Sequence, residues 1–511
     1  MLYPKTPSFP ASMKALTEGW KGAVERAMES AATKLVQIFQ TRLLGLGHLC
    51  PSTLHDLEQE LHREIARECI DPVVGSAIQA AHSIPSVEDR ALKVLSQVPD
   101  SRLQVATQPV RITLLGGSKW TVNTPYYLRR PHRRPGRPRG VGKRGAAGNG
   151  IYPFLAALGI HDRVSPALGS EVARCVALGT VDLAKLQLAN RGISLDRKVI
   201  RRLTMCLAQP GLEYRAWLIE QGKKGHRGSS CKGKRLVITG DGGRIRTRKN
   251  KRGRRLKSGR HAFKAHWKEP KVFVVYEIDD KGKKVRRGLG LLRYGATMQD
   301  ADGMFGQLEA ILKDIGAQEA DEWIIVADGG EWIWNRVVRL ITGLGFDKAK
   351  VTQVIDLYHA LQHLHKVAAE VKRWSDTESK DWLKKMKRHL LNGRHQKVVE
   401  AIEELCKGRK AKKIRKLLPY FTDHAARMSY SDFLKRKIPI GSGAVESCVR
   451  RVVNLRLKGN GIFWTLETAE GVLHLRAQLL SGHWDTFVKQ VLQPKQLWAP
   501  SSLDIKDTEA A

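Results

Sequence analysis

Two apolar, β-branched runs in this chain each end in an aspartate followed at once by two glycines: Leu236-Val-Ile-Thr-Gly-Asp241-Gly-Gly and Trp323-Ile-Ile-Val-Ala-Asp328-Gly-Gly. Short apolar runs broken by glycine predict buried strands, so each carboxylate falls at a strand's carboxyl end. That is the end where an open α/β sheet forms its ligand crevice. A third acid lies in Gly441-Ser-Gly-Ala-Val-Glu446-Ser, where Val445, Val449, Val452 and Val453 follow helical spacing. The sequence thus predicts strand, strand and helix converging on one site. Each acid alone has a plain structural reading. Asp241 and Asp328 would serve as turn formers before glycine, and Glu446 would pair with Arg450 four residues on.

The charge of the chain narrows the choice. Its 511 residues carry 89 Lys and Arg against 50 Asp and Glu, a formal net charge of +39. That imbalance points to a polyanion, and to nucleic acid before a membrane surface. No apolar run approaches the roughly 20 residues that span a bilayer, and Met1 to Lys21 lacks the apolar core of a signal peptide, so a cytoplasmic, nucleoid-associated protein is expected. The seven cysteines are scattered, which argues against a disulfide framework or a zinc ribbon.

The sequence divides by composition. A helical N-terminal region is expected at 1–105, then a β-hairpin around Gly116-Gly117 and an Arg/Pro-rich basic linker within 106–150. From Arg129 to Arg144 there are eight Arg or Lys, no acid and repeated prolines, the composition of an extended arm on DNA, with Arg133, Arg134, Arg137 and Arg139 as contacts. A solvated interdomain linker is the plainer alternative. Residues 151–230 are predicted to be helical, with a helix-turn-helix pattern from Leu183 to Leu203. Gly192 would make the turn and Ser194 the cap, freeing Arg197, Lys198, Arg201 and Arg202 for DNA; a simple packing pair would look the same.

From Lys234 the periodicity changes. Strands are predicted at Leu236–Thr239, Val272–Ile278, Val285–Tyr294, Trp323–Ala327 and Val351–Ile355, with helices at Met304–Ile315 and after Trp332. Three strands, a helix, a strand, a helix and a strand is the order of an α/β ribonuclease-H-like core. The core would occupy 231–364 and 437–484, with a helical insertion at 365–436 between and a C-terminal tail at 485–511.

Phosphodiester hydrolysis needs help because the phosphate repels the nucleophile and the alkoxide leaves poorly. Two divalent ions about 4 Å apart, Mg²⁺ or Mn²⁺, answer both problems, and such hard ions need carboxylate oxygens. Asp241, Asp328 and Glu446 would supply them, and glycines 242, 243, 329 and 330 would let the DNA backbone approach. Beyond the fifth strand, Asp356-Leu-Tyr-His359 spaces an acid and an imidazole three apart, on one helical face. His359 would donate to the scissile phosphate beside Asp356; the alternatives are a structural cap and a zinc site from His359, His363 and His365. Two basic groups flank these acids. One runs from Arg244 to Arg260 and includes Arg248, Arg252, Arg254 and Arg255. The other is Arg450, Arg451, Arg456 and Lys458, with Trp464 as a base-stacking or core residue.

ADGGEWIWNRV, VIDLYHALQHLH and IPIGSGAVESCVRRVVNLRLKGNGIFW together resemble a bacterial insertion-sequence transposase of the Asp-Asp-Glu type, in the Kra-like group. The Asp-x-x-His pattern is also similar to that of Mutator-like and hAT-like transposases. The likeness runs from roughly Arg235 to Leu480 and is most specific from Gly441 to Trp464. It implies a ribonuclease-H-like core with a helical insertion, and a metal triad of Asp241, Asp328 and Glu446 with Asp356 and His359 as an auxiliary pair. It also implies cutting and joining of double-stranded DNA at element ends and target by a homodimer or higher oligomer. One departure is the Arg/Pro tract, which stands where related chains often carry paired cysteines. The competing expectations are a structure-specific nuclease on the same core and a non-catalytic DNA-binding regulator.

Overall fold

The computed structural model describes residues 11–41, 50–98, 102–129, 150–223, 231–249, 253–257, 259, 261–286, 288, 290–407 and 411–498. The chain forms two compact units, Met1–Leu207 and Ala208–Ala511. The division lies inside a long helix, whereas the composition of the chain sets a boundary near residue 230.

The first unit begins with helices α1 (Ala11–Phe39), α2 (Pro51–Ile65), α3 (Asp71–Ala80) and α4 (Pro85–Ser96). The antiparallel hairpin of β1 (Arg102–Thr113) and β2 (Lys119–Arg129) follows. Val110, Ile112, Leu114 and Val122 from the hairpin pack with Leu155 and Ile160 into a buried cluster. The buried carboxylate of Asp71 fixes the hairpin turn, accepting from the backbone N–H groups of Gly116 and Ser118 at 3.0 Å each and from the Ser118 hydroxyl at 2.6 Å. Helices α5 (Pro153–Ala157), α6 (Pro166–Leu178), α7 (Val181–Asn190) and α8 (Arg197–Lys223) come next.

α7 and α8 stand where the helix-turn-helix is expected. Gly192 turns the chain at a φ of +73°, a conformation that suits glycine. The cap of α8 is Asp196 and not Ser194: its Oδ1 accepts from Lys198 N at 2.5 Å and Val199 N at 3.1 Å. The charged cap also stabilises the helix's positive end.

The second unit is built on a five-stranded sheet of β3 (Arg235–Gly242), β6 (Lys271–Ile278), β7 (Leu292–Thr297), β8 (Glu322–Ala327) and β9 (Val351–Ile355). Two further strands, β4 (Ile245–Arg248) and β5 (Ala265–Lys268), form a separate hairpin between β3 and β6. The sheet order is β7-β6-β3-β8-β9. β6 is antiparallel to both β3 and β7, whereas β3, β8 and β9 run parallel. The parallel steps need crossovers, and α9 (Ala301–Asp314) and α10 (Glu331–Leu344) provide helices there. Trp323, wholly buried, stacks on Phe346 with ring centres 4.1 Å apart.

The third strand starts at Leu292, not at Val285 as expected. The Asp279 carboxylate gathers the N–H groups of Lys281 and Lys283 at 2.9 and 2.8 Å into a tight turn. The glycines at 288 and 290 then delay regular pairing until Leu292. After β9 the chain is helical: α11 (Leu357–Glu370), α12 (Asp376–Leu391), α13 (His395–Cys406), α14 (Lys412–Arg415), α15 (Leu418–Thr422) and α16 (Tyr430–Lys435) make the insertion. It returns through α17 (Gly443–Cys448), a π-helical stretch Val449–Asn454, α18 (Leu455–Leu457), α19 (Leu466–Ser481) and α20 (Trp484–Leu492). α17 packs on β3 and β6. Among the described residues no helix is long and apolar enough to cross a membrane.

Candidate active site

Register places the acids. Thr239 of β3 lies opposite Val326 of β8, so Asp241 and Asp328, each two residues further on, emerge side by side at the carboxyl ends of adjacent parallel strands. Ala327 lies opposite Ile355 of β9, which brings Asp356 next in the row, its N–H donating to the Ala327 carbonyl at 2.9 Å. Neighbouring strands stand about 4.8 Å apart.

Asp241 accepts from Gly242 N at 2.6 Å. Burial pushes its carboxyl above the usual range, and the charges of Asp328 and Glu269 push the same way, while the Gly242 N–H and His359 oppose them. Two acids in this relation favour a cation between them. Asp328 Oδ1 accepts from Gly330 N at 3.0 Å and its backbone carbonyl from the Trp334 indole at 2.7 Å, fixing the turn into α10. Gly329 is required by packing: a Cβ there would stand 2.1 Å from Cε2 of Tyr420.

Asp356 stands at the N-cap of α11, ahead of the helical turn that carries His359. It is wholly buried, its Oδ1 accepts from Tyr358 N at 2.6 Å, and its Oδ2 accepts from Ser442 N at 2.9 Å and from the Ser442 hydroxyl. It is the cap of α11, as one of the alternatives had it, and a latch on the loop that leads into α17. His359, half-buried, is the member of the pair whose charge reaches Asp241. His365 is exposed, which removes it from a site with His359 and His363.

Glu446 sits on α17 with its side chain exposed. Two residues on, Cys448 faces inward, its thiol 3.7 Å from the Phe273 carbonyl and pushed up by burial and by Asp241. The helix therefore lies against the end of β3 while Glu446 points away from the buried side. Among the described residues no three His, Cys, Asp or Glu side chains stand close enough together to hold an ion. Asp241 feels the charges of Asp328 and His359, and Glu446 stands exposed on α17, the helix that packs on β3. The fit to a divalent ion rests on the Asp241–Asp328 pair.

The insertion contributes residues the sequence reading did not single out. Tyr420 stacks on His363 with ring centres 3.7 Å apart and planes 6° from parallel, and His424 meets Tyr420 edge-on at 5.5 Å. The Arg427 guanidinium lies over Trp334 at 4.4 Å. Burial pushes His363 down to about 4 and raises the Tyr420 phenol, and the Asp328 charge acts on both. Spacing carries no signal for this, because Tyr420 lies more than fifty residues from its histidine partner.

The basic candidates divide. Arg254, Arg255, Arg450, Arg451 and Lys458 are exposed. Arg456 is buried over the Trp464 ring at 5.0 Å, and burial pulls it down to about 10, so it is not a phosphate contact. Trp464 is pinned, its indole donating to the Leu457 carbonyl at 2.9 Å. Arg248 lies over Phe263 at 5.3 Å. On α8, Arg197 is held by Asp182 and Arg202 by Asp162 at 2.8 Å, leaving Arg201 exposed beside them. Arg133, Arg134, Arg137, Arg139 and Arg252 lie outside the described residues. No family model matches this chain, and no curated protein matches it in sequence.

Proposed function

We propose that this chain is a DNA transposase that cuts phosphodiester bonds at the ends of a mobile element and transfers the 3′-hydroxyl ends to target DNA. The observation that carries the reading is the side-by-side placement of Asp241 and Asp328 on adjacent parallel strands, in a chain of net charge +39. The sheet order, with one antiparallel strand between β7 and β3, supports a ribonuclease-H-like core.

Asp241 and Asp328 would hold a divalent cation, with Glu446 brought in from α17 as a third ligand on DNA. When bound, Mg²⁺ or Mn²⁺ activates the attacking oxygen and stabilises the leaving one. The remaining work falls to the chain's own groups. His359 donates to a phosphate oxygen, a role suited to a half-buried imidazole beside a carboxylate. Asp356 holds Ser442 and so sets where α17 begins. Arg450, Arg451 and Lys458 hold flanking phosphates. Joining two element ends calls for a dimer or higher oligomer, and a cytoplasmic location follows from DNA as the substrate.

The test is a Mg²⁺ or Mn²⁺ titration of cleavage and strand transfer on labelled DNA carrying an element end, comparing the parent chain with Asp328→Ala. Nicked and joined products that the substitution abolishes, with DNA binding intact, are expected. Cleavage without joining selects a nuclease on the same core, and binding with no metal-dependent product selects a regulator. Cleavage that persists in Asp328→Ala overturns the site.

A further inference from the structure

The β4–β5 hairpin carries an exposed aromatic group with no place in the acid site. Arg246 pairs directly with Trp267 across the hairpin, and Arg244, two residues earlier, falls on the same face. Trp267 is 51% exposed, and every residue of β5 is exposed. The guanidinium groups of Arg244 and Arg246 lie 5.2 and 5.9 Å from its ring centre. Among the described residues no carboxylate pairs with either arginine.

The hairpin is braced. Arg248 N donates to the Trp464 carbonyl at 2.8 Å, Trp464 N donates to the Arg246 carbonyl at 3.1 Å, and the Arg246 guanidinium rests on Phe463 at 4.8 Å. Its two ends are tied at the acid site by Gly243 N donating to the Pro270 carbonyl at 2.7 Å. Arg244 is three residues from Asp241, roughly 10 Å at the rise of an extended strand. A braced pair of strands thus holds an open indole and two cations a short step from the acids.

Flat apolar surface beside fixed positive charge fits a polyanion that also offers π faces. Duplex DNA keeps its base faces stacked, so the matching ligand is unpaired. Resting on the proposed action at DNA ends, we propose that Trp267 stacks on an unpaired base of a single-stranded DNA end while Arg244 holds a neighbouring phosphate. The hairpin would thereby keep the frayed strand beside Asp241 and Asp328.

The experiment is fluorescence anisotropy of the full chain, without divalent metal, on a labelled blunt duplex and on the same duplex with a short single-stranded 3′ extension. Trp267→Ala is expected to weaken binding of the extended probe by about tenfold or more and that of the blunt probe by less than about twofold. Trp267→Phe, which keeps an aromatic face, should recover most of the loss, and it decides the matter if Trp267→Ala lowers the thermal midpoint. Equal losses on both probes, or no loss on the extended one, would overturn the proposal. Metal-dependent cleavage and joining that persist in such a case leave the transposase reading standing. A selective Trp267 effect on a chain that never yields metal-dependent product would uphold the stacking and sink the transposase reading.

Discussion

Asp356 is the acid whose role the structure changes most, and its replacement has a magnitude that can be worked out. Three donors converge on a carboxylate with no exposed surface: Tyr358 N at 2.6 Å, Ser442 N at 2.9 Å and the Ser442 hydroxyl. Asp356→Ala removes the cap of α11, worth about 1 kcal/mol. It also strands two buried donors of Ser442, each costing about 1–3 kcal/mol. The expected loss is therefore about 3–7 kcal/mol, visible in equilibrium urea unfolding as a midpoint lowered by about 1 M or more at unchanged slope. Ser442→Ala alone should cost less, since the residue-442 N–H keeps its acceptor. In the double variant the stranded hydroxyl is gone, so the two losses should fall short of additive by about 1 kcal/mol or more. If Asp356 were instead a reacting acid, its substitution would abolish DNA cleavage while leaving unfolding near the parent's. An Asp356→Ala midpoint indistinguishable from the parent, or strict additivity with Ser442→Ala, would refute the latch.

Three further outcomes follow from the same geometry. Asp241 has its carboxyl raised by burial and by Asp328, so in the folded state ionisation is penalised; its contribution to stability is full below the ordinary value of 3.8 and lost as pH rises through the raised one. Asp241→Asn should therefore raise the thermal midpoint at pH 7 and give no gain at pH 3 while abolishing cleavage; a lowered midpoint at pH 7 would contradict the burial argument. Gly329→Ala would place a methyl 2.1 Å from the Tyr420 ring, and overpacking of this kind costs about 1–3 kcal/mol. A midpoint unchanged in calorimetry would show that the insertion yields freely there. His363 is pushed down from 6.5 to about 4, so it stabilises the fold above pH 6.5 and that stability is lost as pH falls towards 4. His363→Phe, which keeps a ring under Tyr420, should flatten the acid side of a midpoint-against-pH curve, and an unaltered slope would show that the histidine does not titrate with folding.

What could be read from the chain and what could not separate along a physical line. β3, β6, β8 and β9 announce themselves because strands buried on both faces are continuous apolar runs, and in β3 and β8 a glycine pair after the aspartate marks the end. From those runs alone Asp241 and Asp328 fall at strand ends, and parallel pairing does the rest. β4 and β5 went unread since Ile245-Arg-Thr-Arg and Ala265-His-Trp-Lys look like solvated basic loop. Their alternation is masked when the exposed face is arginine and the covering surface comes from Phe463 and Trp464, nearly two hundred residues away. Separation along the chain hides the roles of Asp356 and Trp464 as well. A motif gives residue types at a spacing, but whether a carboxylate faces solvent or a buried serine depends on a loop that returns after the whole insertion. Glu446 is the sharpest instance. Helical spacing put it on a helix, and the helix forms, but the inward position two residues on is taken by Cys448, so the acid is left exposed on α17. The stretch immediately after it, Val449–Asn454, is π-helical, a geometry that shifts every following side chain around the helix and occurs often at functional sites.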